Sequence, residues 1–279
     1  MILTVPVFEG RALTAQLIES LAATVRSRHF QLVIVDNGSP FPYREEELKA
    51  PFRIRLIRNE RNEGNFYPLK QAADIGTAHT VIGLAHNDIL IYEEGWDERM
   101  DAAFKADPKL GMVGFAGGDA IGEDGLRTRT LSNLNGKAGH ISAEGMAGFP
   151  GERVFDLRPA VALDALCVVF RRDVLKSLTL DDRLPPGHWY DLIWCAQASL
   201  AGWRLAVMGV DADHVGWGTS GGQSGALQEE WRRWCRDNGV EAGGHPMNAI
   251  RAYGEAKWRK YRGKYWPCHV GADWVVERP

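Results

Sequence analysis

The sequence predicts an α/β fold: a mainly parallel sheet flanked by helices, followed by a helical, aromatic-rich C-terminal extension. Two observations predict it. From the first residues to about residue 115, short apolar runs alternate with amphipathic stretches, the order of parallel strands joined by crossover helices. The chemically interesting polar residues Glu9, Asp36, Asn87 and Asp88 also follow directly on those runs, where open α/β sheets bind ligands.

Residues 2–7 read as the first strand. Residues 12–26 carry Leu13, Leu17, Leu21 and Val25 at helical spacing. Residues 31–35 form a continuous apolar strand that ends in Asp36-Asn37-Gly38-Ser39, and 54–57 form a further short strand. Residues 67–76 and 94–106 read as helices, and 80–85 and 111–115 as strands. Residues 116–160 are rich in Gly, Asn and Ser and are expected to be a long functional loop with little regular structure. The chain turns apolar again through Phe170. A helix is expected over 191–202, a strand over 204–210 and a helix over 226–238, with Gly243-Gly244-His245-Pro246 as a breaker.

The chain has 279 residues, 45% hydrophobic and 25% charged, ordinary for a soluble globular protein. A net charge of −3 argues against a globally basic nucleic-acid binder and leaves room for a local basic patch. No apolar run reaches the roughly 18 residues that span a bilayer. The N-terminus has neither the basic nor the long apolar region of a signal peptide, so a strand is expected to begin at once. Cys167, Cys195, Cys235 and Cys268 form no CxxC pair, which argues against a zinc knuckle or redox motif; a reducing, cytoplasmic location is expected. Most of the ten tryptophans lie at or beyond residue 189, and they suit a sugar- or base-stacking surface and an ordinary core equally well.

Four segments have residue types that suit group transfer. Asp36, at the end of a buried strand, is placed to accept from a base N–H or a ribose hydroxyl, though Asp-Asn-Gly-Ser is also good turn chemistry. Asp88, in His86-Asn87-Asp88, suits a divalent ion that neutralises a departing diphosphate; Asn-Asp also suits a plain turn. Asp191 opens a helix, where the dipole favours its charge, for stability or for general-base work. His214 follows a strand and suits a metal through its neutral imidazole, although lone histidines are more often structural. Gly216-Trp217-Gly218-Thr219-Ser220-Gly221-Gly222 beyond it suits a closing loop.

Taken in order, these segments resemble the inverting, nucleotide-sugar-dependent glycosyltransferases of family 2, which have the Rossmann-like GT-A fold. The resemblance runs from Ile2 to about Gly222. Val5-Pro6-Val7-Phe8-Glu9 resembles the family's VPVYN, and Val35-Asp36-Asn37-Gly38-Ser39 its VDDGS or VDNGS. Arg58-Asn59 with Asn62-Glu63-Gly64-Asn65 resembles its RN…NxGxxxA, and Leu84 to Ile89 the strand carrying DxD. Asp164-Ala165 with Arg171-Arg172-Asp173-Val174 resembles its DG…RR-x-V. Leu180 to Leu184 is similar to its FDE-like stretch. His188 to Leu205 resembles the HFYD…AGWR helix of one subgroup, and His214 with Ser220-Gly221-Gly222 that subgroup's H-x-SGG. Three positions depart from the pattern: His86 replaces the first acid of DxD, His188-Trp189 stands where an ED pair is usual, and Ala165 replaces Gly.

The resemblance implies a role for each residue. Asp36 binds the base, with Pro6 and Glu9 lining its pocket; Phe8, Asn65, His86 and Asn87, in the matching segments, belong to the donor side. Asp88 and His214 hold Mn²⁺ or Mg²⁺ with the diphosphate. Asp164 contacts the donor sugar or the acceptor, and Asp191 is the base, with His188 as the alternative. Residues 1–222 form the nucleotide-sugar-binding and catalytic domain. Residues 223–279 form an extension that packs on it or contacts the acceptor. UDP is the default donor nucleotide, with GDP and dTDP as the alternatives. The expected acceptor is a glycan, a lipid-linked saccharide or a hydroxymethylated base in DNA.

The segment from Arg251 to Trp266 holds six basic residues, one acid and five aromatics. It fits three roles: packing on the catalytic domain with its charges solvated, lying on a membrane surface, or gripping nucleic acid. Two other functions compete. A nucleotidyltransferase of similar fold needs a basic Gly-rich loop, of which Glu9-Gly10-Arg11 is a poor version. A non-catalytic nucleotide-sugar binder would lack turnover.

Overall fold

The apolar runs at the start of the chain become parallel strands, and the amphipathic stretches become the helices between them. The computed structural model describes residues 1–75, 81–135, 151–178, 189–215 and 225–278. The first half comprises β1 (Ile2–Val7), α1 (Arg11–Thr24), β2 (Gln31–Asn37), β3 (Arg53–Asn59), α2 (Phe66–Ile75), β4 (Val81–Ala85), β5 (Ile89–Ile91), α3 (Trp96–Ala106) and β6 (Leu110–Gly114). Short strands follow: β7 (Ala116–Gly118), β8 (Ala120–Ile121), β9 (Thr130–Ser132), β10 (Leu134–Asn135), β11 (Gly151–Arg153), β12 (Leu157–Ala160) and β13 (Ala162–Leu163). The rest comprises β14 (Cys167–Arg171), α4 (Arg172–Ser177), α5 (Tyr190–Leu200), β15 (Arg204–Met208), β16 (Ala212–His214), α6 (Gly225–Asp237), α7 (Pro246–Trp258), β17 (Cys268–Val270) and β18 (Val276–Glu277).

The central sheet has the order β12-β15-β6-β14-β4-β1-β2-β3. β4, β1, β2 and β3 run parallel, as do β6 and β15; β14 is antiparallel between β4 and β6, and β12 is an antiparallel edge. Every residue of β2 is buried, as expected of a strand covered on both faces. Register aligns Val7 with Asp36 and Asp36 with Arg58, so the polar strand ends converge on one rim.

Residues 116–160 are not the loop that their composition suggests: the described part holds six short strands. Two of the glycines serve close approach rather than a turn. A Cβ on Gly117 would lie 2.2 Å from the Ala162 carbonyl oxygen, and one on Gly118 would lie 2.6 Å from that of Arg129. No side chain fits between these strands, so glycine lets β7 pair with β9 and β13.

The tryptophans mostly build core. Trp96 packs edge-on against Phe30 and Phe115, and Trp194 against Phe170 and Tyr190. In the basic-aromatic segment Trp258, Tyr265 and Trp266 are buried, while Arg251, Arg259, Lys260, Arg262 and Lys264 are exposed. The aromatics of that segment thus pack inward while most of its charges meet solvent. The extension also contributes strands: Cys268 and His269 of β17 pair with Ile121 and Ala120 of β8. All four cysteines are buried and free. Among the described residues no helix is long and apolar enough to cross a membrane.

Trp258 is the keystone of this packing. It stacks on Trp266 at 5.6 Å and on Trp189 at 6.5 Å, and its indole N–H donates to the Gly125 carbonyl at 3.0 Å. Trp258→Ala is expected to cost about 3–5 kcal/mol, the usual range for a buried aromatic. That lowers the midpoint of thermal unfolding by roughly 10 °C; a fall of under about 2 °C would contradict the packing account.

Candidate active site

Three loops meet at the carboxyl ends of β1, β2 and β4. After β1 the chain turns through Glu9 and Gly10, both left-handed with φ of 60° and 67°. For Glu9 that is a strained conformation, held by partners: its N–H donates to Ser39 Oγ at 2.9 Å, and its carbonyl accepts the Tyr43 hydroxyl at 2.5 Å. Asn87 joins the same group, donating to Thr14 Oγ1 at 3.1 Å.

Asp36 lies beneath these loops, fully buried. Its carboxylate accepts from Ser39 N at 2.9 Å, from Tyr43 N at 3.0 Å and from the Arg58 guanidinium. Asn37 ties in the next segment, donating to Asn62 Oδ1 and the Gly64 carbonyl, both at 2.9 Å. Pro6 is half-buried opposite Val35. Phe8 packs against the cluster of Leu227, Trp231 and Met247 from α6 and α7. Asn65 donates to the Tyr190 hydroxyl at 2.7 Å. Tyr43, which sequence reasoning missed, ties Asp36 to Glu9 and Thr14, and only its place in the fold reveals it.

The second group is the candidate metal centre. β16 pairs antiparallel with β5, setting His214 opposite Ile89 and hence beside Asp88. His86 follows β4 directly, its N–H donating to the Leu166 carbonyl at 2.8 Å. The possible ligand atoms of His86, Asp88 and His214 all lie within 4.8 Å of one another. His214 Nε2 is 3.4 Å from Asp88 Oδ2, and His86 Nδ1 is 3.9 Å from Asp88 Oδ1. Asp88 Oδ1 and His214 Nδ1 are buried and lack a hydrogen-bond partner among the described residues. Buried polar atoms with no protein partner, beside a carboxylate, suit coordination of a cation, so the donor set fits a divalent ion. Burial alone would raise the Asp88 carboxyl, but contact with His214 and the charge of His86 hold it below its ordinary value. Burial lowers His214, but Asp88 outweighs it and the imidazole is raised. The His-x-Asp spacing of 86 and 88 was a signal that the histidine in the first acid's place keeps ligand capacity.

The third group is a carboxylate pair. Asp164 N donates to the Ala116 carbonyl at 2.9 Å, and Asp164 Oδ1 accepts from Leu166 N at 3.2 Å. Leu163 N donates to Cys195 Sγ at 3.2 Å, which holds α5 against β13. Asp191 lies one helical turn before Cys195, so it shares the face turned toward Asp164. Its Oδ1 accepts from Leu192 N at 2.9 Å. Burial, and then the charge of Asp164, push the Asp191 carboxyl up to about 6. Arg127, which the sequence did not single out, lies 3.1 Å from Asp164 Oδ2. Burial would raise Asp164, but the Arg127 guanidinium holds its carboxyl below the ordinary value. His188, the alternative base, lies outside the described residues, as do Leu180 to Leu184 and the Gly216–Gly222 segment.

Residues 3–179 match the model of glycosyl transferase family 2. The chain belongs to that family. As a family 2 glycosyltransferase it has structural counterparts of low sequence identity. S. aureus TarS 1–349 is 15% identical, with 94% of this chain and 72% of that chain covered at a TM-score of 0.52. The TarS complex with UDP-GlcNAc is 16% identical, with the same shares covered and a TM-score of 0.53. GalNAc-T7 with UDP, GalNAc and Mn²⁺ is 12% identical, with 93% of this chain and 53% of that chain covered at 0.54. The chain thus spans about half of that last protein. These likenesses speak to the fold, which is GT-A. No curated protein matches the chain in sequence.

Proposed function

We propose that this glycosyltransferase moves a sugar from UDP to a saccharide hydroxyl with inversion, Asp191 acting as base. One observation carries the reading: a cation-competent cluster lies close to Asp164, whose charge in turn helps to raise the Asp191 carboxyl. The acceptor oxygen bonds to the anomeric carbon, its proton passes to Asp191, and the bond to the diphosphate oxygen breaks with its electron pair leaving on UDP. A single displacement inverts the anomeric centre. Residues 1–222 carry this chemistry, and 223–279 brace it through Phe8 and Trp189.

His86, Asp88 and His214 would hold the divalent ion, which supplies charge neutralisation for the leaving diphosphate. Imidazole donors favour Mn²⁺ over Mg²⁺, which prefers an all-oxygen shell. Asp36 acts on the donor by fixing the Ser39–Tyr43 turn and Arg58 beneath the base; Pro6, Glu9 and Asn87 shape that wall. Asn65 braces Tyr190 next to the base. A saccharide acceptor is favoured over a DNA base because Trp258, Tyr265 and Trp266, the aromatics best suited to stacking bases, are committed to the core. The reading keeps the site cytoplasmic, where nucleotide sugars are made.

Incubation with UDP-sugars, Mn²⁺ and either saccharide acceptors or hydroxymethylated DNA tests this. Saccharide products of inverted anomeric configuration support it, and retained configuration or DNA products alone overturn it. Asp191 accepts a proton only when ionised, so turnover should rise through a pH of about 6 and level off above it. A profile still flat down to about pH 4 would exclude this carboxylate as the base.

A further inference from the structure

We propose that Arg127 divides the labour of the two carboxylates: it claims Asp164, which leaves Asp191 as the group that takes the acceptor's proton. The inference rests on the reading of Asp191 as base and names the residue that makes it so.

The geometry is specific. Asp164 and Asp191 are both half-buried and near enough for the charge of Asp164 to raise Asp191, and both stay ionised only if a cation compensates one of them. The Arg127–Asp164 pair supplies that cation at 3.1 Å, with the two side chains only 15% and 21% exposed. Asp164 Oδ1 is already used by Leu166 N, and Oδ2 by Arg127. With both oxygens engaged, Asp164 is a poor proton acceptor. Asp191 accepts only from Leu192 N among the hydrogen bonds described.

The fold places Arg127 deliberately. It sits at the base of a tight hairpin, bridged to Ile121, in which Gly122 N donates to the Leu126 carbonyl at 2.9 Å. Its stem runs along Gly118, where a Cβ would lie 3.4 Å, ordinary contact distance, from Arg127 Cγ and Cδ. Trp258 pins the hairpin at Gly125 and also stacks on Trp189, which caps α5 two residues before Asp191. One buried indole therefore braces both the cation and the proposed base.

Among the described residues, the charged and titratable groups that act on Asp164 or feel its charge are Arg127, His86, His214, Tyr190 and Asp191. Among the same residues, those for Asp191 are Asp164, Arg127, Tyr190 and Cys195. Arg127 acts on both carboxylates, by contact on Asp164 and by charge on Asp191.

Carboxyl-carbon NMR of the full chain labelled with ¹³C-aspartate tests this without a substrate. The Asp191 signal is assigned by its absence in D191N, and that of Asp164 by its absence in D164N. In R127M both carboxyls should titrate at least about one pH unit higher than in the wild type. R127K, which keeps the charge, should keep both nearer their wild-type midpoints. Unchanged midpoints in R127M would overturn the inference. So would a fall of Asp191 to the ordinary carboxylate range, which is what local unfolding produces. Failure here is separable from failure of the base assignment, which D191N turnover decides by itself.

Discussion

Asp191→Asn is expected to lower turnover by about 10²–10⁴-fold, the range that a general base contributes, with donor affinity within about threefold of wild type. The amide is isosteric and still accepts the Leu192 N–H through its oxygen, so the start of α5 should survive. What disappears is the only function that requires a carboxylate there, proton acceptance. Asp191 sits in the first helical turn, where the dipole favours its charge, yet its carboxyl is raised rather than lowered. Burial and Asp164 therefore outweigh the dipole, which fits a proton-transfer site better than a stabilising cap. Steady-state rates and UDP titrations on the same preparation check both halves. Turnover within about threefold of wild type would remove Asp191 from the base role.

Asp88→Asn is expected to have the second-largest effect, lowering both function and stability. Turnover should fall by roughly 10³-fold, because neutralising a leaving diphosphate is worth several kcal/mol. Asp88 is only 3% exposed, and against the cost of that burial His214 and His86 hold its carboxyl below its ordinary value, so its ionised form favours the fold at every pH above the ordinary carboxylate range. Removing that charge takes the anionic partner from His214, so the variant should unfold at a lower temperature than wild type in EDTA at neutral pH. The further stabilisation that Mn²⁺ gives the wild type should vanish as well. A variant as stable as wild type in EDTA and still stabilised by Mn²⁺ would remove Asp88 from the cluster.

Much of the first half of the fold was legible because most strands there are largely apolar runs that stand out from the helices between. Asp36 and Asn37 were legible too, yet the bonds they make are internal: to Ser39, Tyr43 and Arg58, and to Asn62 and Gly64. The strands over 116–160 were not legible, since two to four residues hardly show a period of two and their glycines read as turns. The actual signal was steric and lay in the partner strands, above all at Ala162 and Arg129. Helix α7 was hidden by its own breaker, because Pro246 serves as a first-turn residue rather than a stop. His86 stands two residues before Asp88 in sequence, but its meeting with His214 depends on the β5–β16 pairing, which no local pattern reveals. Arg127 was invisible for the same reason: its meaning depends on a hairpin whose partner segments lie near residues 164 and 258.

The central claim is that His86, Asp88 and His214 hold the cation against which a nucleoside diphosphate binds. Calorimetric titration of UDP into the protein, in Mn²⁺ and in EDTA, tests it most directly. The account predicts binding in Mn²⁺ that weakens at least about tenfold, some 1.4 kcal/mol, in EDTA and likewise in D88N. Equal affinity in Mn²⁺ and EDTA, or D88N binding like the wild type in Mn²⁺, would contradict it.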